Sequence, residues 1–260
     1  MKQADGLIAA FDLEKYRFIH LIGGGGKTTL MLAMARALVG QGKRVIVTTS
    51  TRLRKSEGEA LAGLLVGLNV AELVEQARVA LARHNPTVLA SRVEDEKLLG
   101  FSVGALEFLA TAGIADTLLV EADGAAGRPL KAHAPWEPVI ASSADLVVVV
   151  VGAWCLGQPL DERTVHRADL LAQRVGCARG TALEARHVAA ILFHREGYLA
   201  RVPREADVML AVASRGGDDG GLARELAAAD ERERLKRVVR LESVMADVPG
   251  HLPGNLPQSR

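Results

Sequence analysis

Residues 23–29 read Gly-Gly-Gly-Gly-Lys-Thr-Thr, a run whose composition suits it to holding phosphate. Gly23, Gly24, Gly25 and Gly26 let backbone N–H groups converge on phosphate oxygens, and a helix opening at the Lys-Thr pair aims its positive end at the same point. Lys27 then reaches the β- and γ-phosphates, Thr28 offers its hydroxyl to a magnesium ion, and Thr29 continues the cradle. The strict pattern asks for a glycine five residues before Gly26, where this chain has Leu21. The match is therefore to a shortened or variant loop with its Gly-Lys-Thr core intact.

Residues 120–133, VEADGAAGRPLKAH, carry a second set of chemical groups. Magnesium on a phosphate loop needs a carboxylate at the end of a neighbouring strand to order its water shell. Asp123 is expected in that role, with Glu121, two residues earlier on the same side of the strand, in an outer place. Gly124 and Gly127 allow the following loop to respond to the γ-phosphate. Arg128, Lys131 and His133 follow as cations, and Lys131 is the one assigned to neutralise charge developing on the transferred phosphoryl group. Thr49 and Ser50, at the end of an apolar strand over 45–49, lie at the edge where α/β sheets collect ligands. The cofactor implied is Mg2+ with a nucleoside triphosphate, ATP or GTP.

These residues need a frame of strands and helices. The apolar run around Phe18–Ile22 predicts the strand before the loop, and 28–39 predicts a helix buried on nearly all sides, with Arg36 its only charge. Further strands are expected at 87–90, 117–123, 145–152, 207–213 and 238–241, and helices at 70–83, 103–112, 162–175, 183–193 and 222–237. Strands alternating with helices, and β-branched runs bare of polar residues, predict a P-loop NTPase-like α/β fold with a mostly parallel sheet covered on both faces. A single domain is expected over residues 1–248, with a disordered Pro- and Gly-rich tail over 249–260.

Composition narrows the function classes. Of 260 residues, 49% are hydrophobic and 24% charged, and the net charge is +1. Without a basic excess, nucleic acid and membrane surfaces are not expected partners. No segment reads as a secretory signal or a membrane span, which predicts a cytoplasmic location. Cys155 and Cys177 lack metal-finger spacing, and each reads as a small apolar residue in a reducing compartment. His187 and His194, seven apart, read as packing or surface residues, and Cys155 as a buried thiol.

In one order the chain carries GGGGKTT, VEADGAAGRPLKAH, EPVI (137–140), VVVVVGAWCLGQPL (147–160) and VHR (165–167). That order resembles the YqeC-type family of selenium cofactor biosynthesis, or selenium-dependent hydroxylase accessory, proteins, over roughly residues 16–245. The resemblance implies a nucleotide-dependent accessory step in maturing molybdenum hydroxylases that carry a labile selenium. It implies as partners a molybdenum- or selenium-containing cofactor intermediate, or the apo-hydroxylase, and draws attention to His166 and Arg167. P-loop GTPases read guanine with Asn-Lys-x-Asp after a late strand; here the strand over 207–213 runs into Ser214 and SRGGDD without an asparagine, leaving Asp218 and Asp219 as the acidic candidates. Three activities fit: an NTPase or nucleotide-dependent transferase, a small-molecule kinase acting on a cofactor precursor, and a non-catalytic carrier switched by nucleotide.

Overall fold

A computed structural model describes residues 2–61, 63–215 and 220–242 of the chain. The expected tail and the Asp218–Asp219 pair lie outside the described residues.

Eight strands form the central sheet: Phe18–Gly23 (β1), Val45–Thr49 (β2), Gly63–Val66 (β3), Thr87–Ala90 (β4), Thr117–Glu121 (β5), Leu146–Gly152 (β6), Asp207–Ala213 (β7) and Arg237–Arg240 (β8). Their order across the sheet is β8-β7-β6-β1-β5-β2-β4-β3. Every pairing is parallel, so all the carboxyl ends lie along one edge. The apolar alternation of the strands explains the two-sided core. In β6, Val147, Val149 and Val151 pack on one face while Leu146, Val148 and Val150 pack on the other. Side chains of successive strand residues point to opposite faces, so an unbroken valine run serves both layers.

The helix Lys27–Gly40 lies on one face together with the helix Lys2–Ala10. It buries Leu30, Met31, Met34 and Leu38, as expected of an apolar helix, and its Arg36 is exposed. Helices Val70–Ala80, Val103–Thr111, Ala185–Phe193 and Gly220–Ala228 contribute to the opposite face. At the amino end of the sheet, the Asp145 carboxylate accepts the N–H groups of Arg17 and Phe18 and fixes where β1 begins.

Two of the expected helices are much shorter than predicted. The helix over 162–175 is confined to Ala168–Val175, because Val165–His166 instead pairs with Leu130–Lys131 in a small parallel ribbon. The helix over 222–237 ends at Ala228. Beyond it, the Asp230 carboxylate accepts the N–H groups of Arg234 and Leu235, a local side-chain bond that competes with helix continuation. A three-stranded antiparallel sheet, Arg52–Arg54, Lys97–Leu99 and Arg92–Glu94, follows β2 and was not predicted. Among the described residues no helix is long and apolar enough to cross a membrane.

Candidate functional site

The glycine run lies where β1 hands over to the Lys27–Gly40 helix, at the carboxyl edge of the sheet. Gly25 and Gly26 have φ of 82° and 109°, a left-handed backbone that residues with a Cβ rarely adopt. The loop is also hemmed in by backbone. A Cβ on Gly24 would stand 2.6 Å from Arg128 O, and one on Gly25 would stand 2.5 Å from Gly152 N. The Gly24 N–H donates to Val150 O and the Gly25 N–H to Arg128 O. The helical ladder starts with Leu30 N–H donating to Gly26 O, so the amides of Lys27, Thr28 and Thr29 precede it and face the helix's open end. Thr28 is half-buried and Thr29 exposed.

β5 lies directly beside β1 and brings the second set of groups to the loop. The Thr28 hydroxyl donates to Glu121 Oε2 at 2.6 Å. Asp123, with its side chain fully buried, accepts the Gly23 N–H at 2.9 Å and lies 3.1 Å from Lys27 Nζ. Lys131 Nζ is 3.4 Å from the same carboxylate, and His133 Nε2 is 2.5 Å from it. Lys27 Nζ also donates to Gly23 O at 2.6 Å.

The two carboxylates therefore live in different surroundings. Burial works to raise the pKa of Asp123, but Lys27, Lys131 and His133 prevail and hold it far below the usual carboxylate range. Burial raises the Glu121 carboxyl above its ordinary value, only partly opposed by Lys27 and the Thr28 hydroxyl. Lys27, which burial alone would push down, is held above its ordinary value by Asp123 and Glu121. Burial likewise lowers the His133 pKa, against the pull of Asp123. A ring nitrogen bonded to an ionised carboxylate carries a proton there, and Nδ1 has no partner among the described residues.

A second layer holds these groups in place. Lys131 Nζ donates to Gly124 O at 2.5 Å and to Glu137 Oε2 at 3.0 Å. Arg167 Nη1 donates to the same Glu137 oxygen at 2.5 Å and to Ala132 O at 3.2 Å. Arg174 donates to His133 O, and the Tyr198 hydroxyl accepts the Lys131 N–H while its ring packs edge-on against His133.

Glu121, Asp123, Lys131 and His133 thus meet the glycine loop in space, together with Glu137 and Arg167. Arg128 meets the loop only through its backbone carbonyl, which accepts the Gly25 N–H; its guanidinium donates to Glu162 O and Ala126 O. Thr49 reaches the right edge, but its hydroxyl donates to Glu121 O and also accepts the Thr51 N–H. Ser50 is beside it, and its buried hydroxyl has no partner among the described residues. His166 is half-buried on the small ribbon, its pKa lowered by burial and by neighbouring Arg167 and Lys131. The Cys155 thiol is buried and pushed up to about 12, which makes it unreactive. His187 Nδ1 and His194 Nδ1 accept the N–H groups of Glu184 and Glu196, so both are local capping groups. Tyr198 is the member that the sequence concealed: it lies 67 residues from its partner Lys131, in no motif.

The model of the YqeC protein family matches residues 19–169, which run from β1 through the loop, Glu121, Asp123, Lys131, His133 and Glu137 to just beyond Arg167. Uncharacterized protein YqeC of Escherichia coli (strain K12) is 29% identical over 190 residues, covering 72% of this chain and 71% of that protein. With more than half its length in the match, and every residue of the loop and both carboxylates inside it, the chain belongs to the YqeC family.

Proposed function

We propose that this protein binds Mg2+ with a nucleoside triphosphate, ATP or GTP, and acts as an NTPase or nucleotide-dependent transferase. On this reading it is a cytoplasmic accessory factor in maturing selenium-dependent molybdenum hydroxylases. Its partner is then a molybdenum- or selenium-containing cofactor intermediate or the apo-hydroxylase. The observation that carries the reading is that Lys27, Thr28 and the leading helix amides follow the glycine turn directly at the carboxyl edge of an all-parallel sheet, beside Asp123 and Glu121. Strand, glycine turn, Lys-Thr and helix is the context in which this motif holds phosphate rather than merely turning the chain.

The oxygen donors suit magnesium, a hard cation that takes few protein ligands and fills its shell from phosphate and water. Thr28 would hold the ion and Glu121, hydrogen-bonded to that hydroxyl, would order its shell. Sequence reasoning gave the shell to Asp123. The charge balance favours exchanging the two: Asp123 already has two lysines, a histidine and an amide, whereas the Glu121 side chain has one hydroxyl. Magnesium when bound neutralises phosphate charge. The chain's own part is to orient the phosphates with the leading helix amides of Lys27, Thr28 and Thr29, since those of Gly23, Gly24 and Gly25 already donate within the protein, and to hold Lys27 beside them. For Lys27 to reach phosphate it leaves Gly23 O while keeping Asp123 as its counter-charge.

Lys27→Ala tests the reading. Removing a charge-assisted contact worth about 1.5–3 kcal/mol lowers nucleotide affinity by roughly ten- to a hundred-fold in calorimetry. Unchanged affinity in a folded variant would rule the phosphate site out. A single-turnover assay with labelled nucleotide then separates the activities: free phosphate marks hydrolysis, a labelled acceptor marks transfer, and neither marks a carrier.

A further inference from the structure

The carboxyl end of β6 borders the phosphate loop, that of β7 lies alongside β6, and the carboxylate network does not use them. Gly152 closes β6 so near the loop that a Cβ on Gly25 would stand 2.7 Å from Gly152 Cα. The indole of Trp154 in turn covers Gly152, its Cη2 2.8 Å from where a Cβ there would stand. β7, hydrogen-bonded alongside β6, ends at Ala213. Two residues later the Arg215 guanidinium lies over the Trp154 ring, 4.1 Å from its centroid. Between strand and arginine, the Ser214 hydroxyl is buried without a hydrogen-bond partner among the described residues.

Trp154 is half-buried and Arg215 exposed, so a further planar group has access to the stack. A guanidinium is planar and weakly hydrated, and with one side on an aromatic face it offers a flat cationic surface to a π-system. Nucleobases are planar, and their stacking on aromatic and arginine planes contributes affinity whatever their edge pattern. A ligand whose phosphates occupy the glycine loop extends along this same edge, where α/β sheets take their ligands. We propose that Trp154 and Arg215 form a stacking platform for the purine base of the bound nucleotide. The proposal rests on the nucleotide reading above and adds to it the part of the ligand that the phosphate loop does not touch.

The test compares ligands with and without a base: Mg·ATP, Mg·GTP and Mg·tripolyphosphate, titrated calorimetrically into the full chain. The wild type is expected to bind both nucleotides about ten- to a hundred-fold more tightly than tripolyphosphate. Arg215→Ala should remove most of that preference and leave tripolyphosphate affinity within about twofold, because only the stacked base loses its partner. Trp154→Leu should do the same, and the exposed Arg215→Ala variant keeps the test sound if Trp154→Leu fails to fold. A preference unchanged in Arg215→Ala overturns the platform, as does a wild type that binds tripolyphosphate and nucleotides equally. A wild type that binds neither overturns the phosphate site itself and the platform with it.

Discussion

Two clusters of charged side chains stand at opposite ends of one sheet, and their surroundings differ in almost every respect. At the carboxyl ends, Asp123 is enclosed by Lys27, Lys131 and His133, and none of the four side chains is more than 4% exposed. At the amino ends, Asp207 accepts from the Tyr16 hydroxyl and from Lys236, and both charged side chains are 40% exposed. The outer cluster joins the starts of β1, β7 and β8 in a setting where water already solvates the ions, and such pairs contribute less than about 1 kcal/mol. The inner cluster has been taken out of water, at a desolvation cost of several kcal/mol per ion that only complete pairing offsets. Well-packed apolar residues often fill such a space at least as stably. The comparison teaches that charge at the glycine loop is placed for what it positions, whereas charge at the far edge does no more than fasten strand starts.

The severest way to break the comparison is Asp123→Ala. It leaves Lys27 and Lys131 buried beside each other with their shared counter-charge gone, and should cost about 3–5 kcal/mol, read as a fall in the urea midpoint. A loss below about 1 kcal/mol would put the two clusters in the same class.

A finer cut lies inside the inner cluster. Glu121→Gln keeps an acceptor for the Thr28 hydroxyl and removes the charge. Stability should shift by less than about 1 kcal/mol. The strengthening of nucleotide binding by magnesium should disappear in the same variant, measured by calorimetry with and without the metal. If Asp123→Asn instead loses the magnesium effect and Glu121→Gln keeps it, the metal role returns to Asp123.

The smallest effect belongs to the outer cluster. Asp207→Asn should cost less than about 1 kcal/mol at neutral pH. Slight burial would raise the Asp207 carboxyl, but hydrogen bonds from Lys236 and Tyr16 prevail and hold it below its ordinary value. Its contribution is therefore complete above the ordinary carboxylate range and fades as pH falls through the lower folded-state value. Chemical denaturation of wild type and variant should give a constant difference near neutrality that closes in acid. A difference that grows in acid would contradict the assigned pairing.

Much of the inner region was legible because its signals are local. The glycine run, the Lys-Thr pair, the apolar strands and the Glu121–Asp123 pair each lie within a few residues of their own evidence. Roles that depend on partners were not. That Thr28 bonds to Glu121 while Lys27 takes Asp123 follows from how β5 docks beside β1, across 93 residues of chain. The hairpin joining Arg92–Glu94 to Lys97–Leu99 escaped notice because its turn is Asp95-Glu96, with φ of 47° and 57°, and carries no glycine to announce it. The helix expected through Val165 failed for a related reason. Pairing with Leu130 across the fold outweighed the local pattern.

The position of β1 also bears on how the chain acquires this structure. Its two neighbours, β5 and β6, come late in the sequence, and the carboxylate that fixes its start is 127 residues away at Asp145. At synthesis rates of about 5–20 residues per second, the loop-bearing strand waits on the order of ten seconds with neither side paired. Its apolar Phe18, Ile19, Leu21 and Ile22 stay uncovered for that interval, and the long loops that must close make the central pairing slow once it becomes possible. Nascent chains halted before Leu146 should therefore expose this segment to protease or to a holding chaperone, and chains halted beyond it should protect it.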